Sequence, residues 1–129
     1  MSMVTGIGVL LVQTNNMQRS IQFYRDVLGL HVNYESEHWS EVILGGVRLG
    51  LHTPLGHDAA KNVRGQGWIV GVEVDDIVAM REAVQSAGCW TSEAFHDIPG
   101  GVLFDFEDPD GYPMQATQQG LSVSDLRGA

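Results

Sequence analysis

Arg48, Gly50 and His52 alternate along a stretch, Val47 to Thr53, that reads as a strand, so they share one face. A guanidinium there can clamp a carboxylate through two parallel hydrogen bonds, and an imidazole two residues on can donate another bond or take up a proton. Glu73, near the end of a later strand, is a second candidate general base. Both Arg48 and Glu73 lie close to strand ends, where the alternative is a solvated charge. His31, His38, His57 and His96 fall near strand ends or in loops and read as solvated. Cys89 has neither a base nor a charge beside it, so it reads as a small buried hydrophobe and not as a nucleophile. Asp108 and Asp110 belong to Asp-Pro-Asp-Gly, a turn between strands. Trp39, Trp68 and Trp90 are dispersed and read as core or interface residues, while Phe104 and Phe106 alternate onto one core face.

The elements that must position these groups follow from periodicity. Residues Gly6 to Thr14 alternate as a strand, and Asn16 can cap a helix from Met17 to about Leu28 that Gly29 ends. Strands are expected near His31 to Glu35, Trp39 to Leu44 and Val47 to Thr53, with Gly45-Gly46 as the tight turn. A linker at about 54–67 lacks periodicity. The order then repeats: a strand from Trp68 to Val74, a helix from about Ile77 to Ser86, and strands at Trp90 to His96, Val102 to Glu107 and on to Gln118. The polar tail from Gln119 is expected to fray. A shift of 60 residues superposes Val9 on Ile69, Thr14 on Val74, Asn16 on Asp76 and Met17 on Ile77, the mark of a duplication.

Composition narrows the class. A chain of 129 residues fits a single domain, 1–129, with modules at about 6–53 and 68–118. Its formal charge of −9 repels a phosphate backbone and an anionic bilayer alike, so neither nucleic acid nor membrane is an expected partner. The apolar run Ile7 to Val12 is too short for a span and lacks a basic flank, and one cysteine permits no internal disulfide. A cytoplasmic location is the expectation.

Three motifs together resemble a known family. The run from Asn16 through Ser20-Ile21-Gln22-Phe23-Tyr24-Arg25-Asp26-Val27-Leu28-Gly29-Leu30 is similar to the helix signature of the vicinal oxygen chelate superfamily (glyoxalases, bleomycin-resistance proteins, extradiol dioxygenases). Val72-Glu73-Val74-Asp75-Asp76 resembles the start of its second module, and Phe106-Glu107-Asp108-Pro109-Asp110-Gly111-Tyr112 its closing turn. The resemblance implies an α+β fold: two βαβββ modules forming a U-shaped mixed sheet around a cleft, with helices outside. It also implies metal ligands on the first and last strands of each module, and those positions map to Val9, Gly50, Ile69 and Gln115. Three have no coordinating side chain, and an amide at Gln115 is a much weaker anchor than the family's glutamate.

No metal or other cofactor is therefore expected, with a divalent ion as the alternative. On the same faces as the mapped positions lie Leu11, Arg48, His52 and Glu73, giving a ligand-binding set of Val9, Leu11, Arg48, Gly50, His52, Ile69, Glu73 and Gln115. The first expectation is a metal-free binder of a small aromatic or anionic molecule, of the bleomycin-resistance type and serving drug or metabolite sequestration. The alternative is a lyase, isomerase or ring-cleaving oxygenase, with His52 or Glu73 as catalytic base if no metal is used. A homodimer is expected, since exposed sheet edges need covering.

Overall fold

A computed structural model describes residues 7–53 and 69–126, together with Met3. The linker, Trp68 and His57 lie outside the described residues. The chain divides into two compact units, Met1–Ala59 and Ala60–Ala129, each holding one βαβββ module.

In the first module, β1 (Leu10–Gln13), β2 (His31–Tyr34), β3 (Trp39–Leu44) and β4 (Val47–His52) form a four-stranded sheet in the order β1-β4-β3-β2. The β1–β4 pairing is parallel and the other two are antiparallel. Helix α1 (Met17–Gln22) begins where expected, with the Asn16 side chain accepting from the Arg19 amide at 3.1 Å. Buried Thr14 accepts from Ser20 Oγ at 2.7 Å and from the Asn16 amide at 3.0 Å, which ties the end of β1 to the start of the helix.

The expected single helix to Leu28 is corrected in its second half: Phe23–Val27 is π-helical, with the Leu28 amide bonding the Phe23 carbonyl five residues back at 3.1 Å. The wider turn leaves Phe23 and Tyr24 buried, edge to face, with centroids 5.4 Å apart.

The second module repeats the plan: β5 (Val70–Glu73), α2 (Ile77–Ser86), β6 (His96–Ile98), β7 (Gly101–Glu107) and β8 (Pro113–Gln119), in the order β5-β8-β7-β6. Asp76 caps α2 by accepting from the Ala79 amide at 3.1 Å, and the Gln118 side chain accepts from the Ile77 amide at 2.8 Å. Phe104, Phe106, Val102 and Ala116 are fully buried on the side where α2 packs with Ile77 and Val84.

Two expectations change here. The strand read over Trp90 to His96 is overturned except at its end: β6 runs His96–Ile98, and upstream only Thr91 bridges to Phe106 while Ser92 Oγ takes the Asp105 amide. The tail after Gln119 forms a 3-10 turn, Val123–Leu126, anchored by Asp97, whose carboxylate accepts from the Val123 amide at 2.8 Å.

Candidate functional site

In each module the helix packs on one sheet face, and the opposite, open face is clear of that helix among the described residues. In the first, Leu49 and Leu51 are buried toward α1, so alternation turns Arg48, Gly50 and His52 to the open face. Register then fixes the neighbours. Leu11 and Glu41 flank Gly50, Gln13 and Trp39 flank His52, and Ile43 lies beside Arg48.

The centre of this face is an indole. Trp39 lies across Gly50 so closely that a Cβ at position 50 would fall 2.8 Å from its Cζ2 and Cζ3 atoms. Gly50 is therefore buried beneath a side chain, and it serves the face by what it lacks. The indole Nε1 donates to Glu41 Oε2 at 3.0 Å, and the His52 ring meets it edge-on at 5.6 Å between centroids. Glu41 also accepts from Asn33 at 3.3 Å and lies 3.6 Å from an Arg48 nitrogen. The indole N–H, then the Asn33 amide, hold the Glu41 carboxyl below the usual range; partial dehydration opposes them and the Arg48 charge adds to them. Arg48 is half exposed, and its Nε donates to the Gly8 carbonyl at 3.3 Å, so its charge is engaged locally.

In the second module Met114 and Ala116 are buried, and Gln115 and Thr117 take the open face. Gln115 lies between Gly71 and Asp105, and its Nε2 donates to Asp105 Oδ1 at 2.9 Å. The amide oxygen of Gln115 takes no part in that bond. Glu73, last in β5, is exposed beside Thr117. Val9 and Ile69 sit just before β1 and β5, both exposed.

Of the residues proposed from sequence, Leu11, Arg48, Gly50 and His52 gather on one module's face, while Glu73, Ile69 and Gln115 belong to the other unit. Trp39, Glu41 and Asp105 were missed, and Trp39 is half-buried on the open face and not part of the core. The available signal was parity, since Trp39, Glu41 and Ile43 alternate with Ser40 and Val42 on the buried side.

A family model for the Glyoxalase/Bleomycin resistance protein/Dioxygenase superfamily matches residues 6–115. The chain belongs to that superfamily. Lactoylglutathione lyase of Haemophilus influenzae is 30% identical over 128 residues, which cover 90% of this chain and 94% of that one. Among solved structures, a glyoxalase-related enzyme from Fulvimarina pelagi has a TM-score of 0.76 at 14% identity, covering 90% of this chain and 89% of its own. TnmS3, an antibiotic binding protein from Streptomyces sp. CB03234, has a TM-score of 0.70 at 18% identity, covering 93% and 100%. At those identities the likeness to the two structures is one of fold.

The resemblance maps metal ligands to Val9, Gly50, Ile69 and Gln115. Val9 and Ile69 offer hydrocarbon, Gly50 has no side chain and lies under an indole, and Gln115 offers a single neutral amide oxygen. This set does not fit a divalent ion. Among the described residues, no group of three or more His, Cys, Asp or Glu side chains converges to hold one elsewhere.

Proposed function

We propose that this superfamily member binds a small molecule on its open sheet faces without a metal, in the manner of a sequestration protein. The observation that carries the reading is Trp39 lying across Gly50, because it fills with a ring the space a metal-binding side chain would need. Each face offers groups that suit a ligand: Leu11 and His52 on the first module's, and the Gln115 amide on the second's. The likeness in fold to an antibiotic binding protein supports this class of role. The absence of any cysteine pair fits a reducing, cytoplasmic setting. We also propose a homodimer in solution, to be read by light scattering.

The test is elemental analysis of protein purified without chelator, followed by titration with nickel, zinc, manganese and ferrous iron. No stoichiometric metal is expected, and added ions should leave the melting temperature nearly unchanged. A site filled at a hundred times its dissociation constant would add about 2.7 kcal/mol, a shift easily seen, and would overturn the reading.

A second reading is favoured by one observation, the 30% identity to a lactoylglutathione lyase across nearly the full length. It makes the chain a lyase or isomerase, with His52 or Glu73 as base. Incubation with lactoylglutathione, with and without nickel or zinc, separates the two readings. Turnover lost in His52→Ala or Glu73→Gln would establish the enzyme.

A further inference from the structure

We infer that Trp39 sets the ligand class of the first module's open face, selecting a flat unsaturated ring that carries no negative charge. The inference rests on the binding reading above and adds the residue and the chemistry that would recognise the ligand.

The ring is pinned on three sides. Gly50 lets it lie against the β4 backbone, Glu41 holds its N–H at 3.0 Å, and His52 abuts its edge. Because Glu41 is held in turn by Asn33 and Arg48, the indole is fixed before any ligand arrives. A fixed aromatic surface loses little conformational freedom on binding, which favours stacking over contacts made by mobile aliphatic chains.

The surroundings of the ring point the same way. Leu11, next to Gly50 across β1–β4, is 47% exposed, and Val9 and Ile7, just before β1, are exposed at 39% and 66%. Leu11 thus sets an open apolar side chain beside the strand position that the indole covers, with further exposed apolar residues just before β1. Charge excludes anions. Glu41 is ionised beside the ring, Arg48 is already engaged by it and by Gly8, and the chain carries a formal −9. The matching ligand is a planar, uncharged or cationic ring that covers the indole and borders on Leu11.

The probes are 2-naphthol, its saturated counterpart decahydro-2-naphthol, and the anion 2-naphthoate, each titrated into ¹⁵N-labelled protein and followed by amide and indole N–H shifts. The inference expects 2-naphthol to bind at least about tenfold more tightly than either comparator and to move the Trp39 indole N–H signal and those of Leu11 and Gly50. Trp39→Ala should abolish that preference and Trp39→Phe should largely keep it. If Trp39→Ala does not fold, the signal map and the Trp39→Phe titration still decide. Equal affinities, tighter binding of 2-naphthoate, an unmoved Trp39 signal or no binding of 2-naphthol by millimolar concentration would each overturn it. The binding reading fails separately, by stoichiometric metal or turnover of lactoylglutathione.

Discussion

Glu41 and Asp105 stand at the same place in their modules: Glu41 faces Gly50 across β3–β4, and Asp105 faces Gln115 across β7–β8. Each carboxylate receives an N–H from its own module. In the second module the opposite residue supplies it, Gln115 reaching Asp105 at 2.9 Å. In the first, the opposite residue has no side chain, and Trp39 from two positions earlier on the same strand takes over at 3.0 Å. One polar requirement is met in two ways, and the second leaves an aromatic surface behind.

Gln115→Glu should turn the 2.9 Å hydrogen bond into a pair of carboxylates that cannot both ionise cheaply. One of them then has a folded-state pKa above its unfolded value of about 4. Its contribution is fully present below that value and lost as pH rises through the folded pKa. Urea midpoints should therefore lie close to those of the parent near pH 4 and well below them at pH 7, and a gap that does not widen with pH would refute the pairing.

Glu41 gives the opposite sign. Its carboxyl is held low by the Trp39 indole and the Asn33 amide, so its stabilisation is present above the unfolded pKa and lost as pH falls through the folded one. The difference in denaturation midpoint between parent and Glu41→Gln should be constant near neutrality and shrink below about pH 4. The fluorescence of Trp39 should change in the same window.

Much of this arrangement is local and therefore legible in the sequence. The caps at Asn16 and Asp76 lie 60 residues apart and both accept as a helix start requires, because a cap depends only on its own next three residues. Phe104 and Phe106 are buried as their alternation implies. The pairs Trp39–Gly50 and Gln115–Asp105 depend on which residues meet across strands. That register is set by the turns joining β3 to β4 and β7 to β8, not by spacing along one strand. The π-helical turn and the intrusion of Ser92 into the edge of β7 have no periodic signal either.

Gly50→Ala places a methyl where the indole lies. Overpacking of this kind typically costs about 1–3 kcal/mol, and the cost should fall toward zero when Trp39 is already alanine. A double-mutant cycle by urea denaturation reads the coupling, and additive effects would mean that the ring and the glycine do not depend on each other.

Arg48→Ala tests a surface pair. With the guanidinium half exposed and 3.6 Å from Glu41, the loss of stability should be under about 1 kcal/mol and should fade with added salt. If Arg48 anchored an anionic ligand, the variant would instead weaken binding of 2-naphthoate well over tenfold while leaving the unfolding midpoint unchanged.

The interlock of Trp39 with Gly50 also constrains the order in which such a site can arise by single substitutions. With any side chain at position 50 the ring has no room to lie down, so a tryptophan arriving first at position 39 would be pushed off the strand. A glycine arriving first at position 50 costs only strand propensity and a lost side chain, and it opens the place the ring later fills. The accessible path therefore removes the side chain on β4 before the aromatic is acquired. Once the ring is seated, regaining a side chain at position 50 is sterically penalised, so the glycine and the aromatic floor hold each other in place like a ratchet.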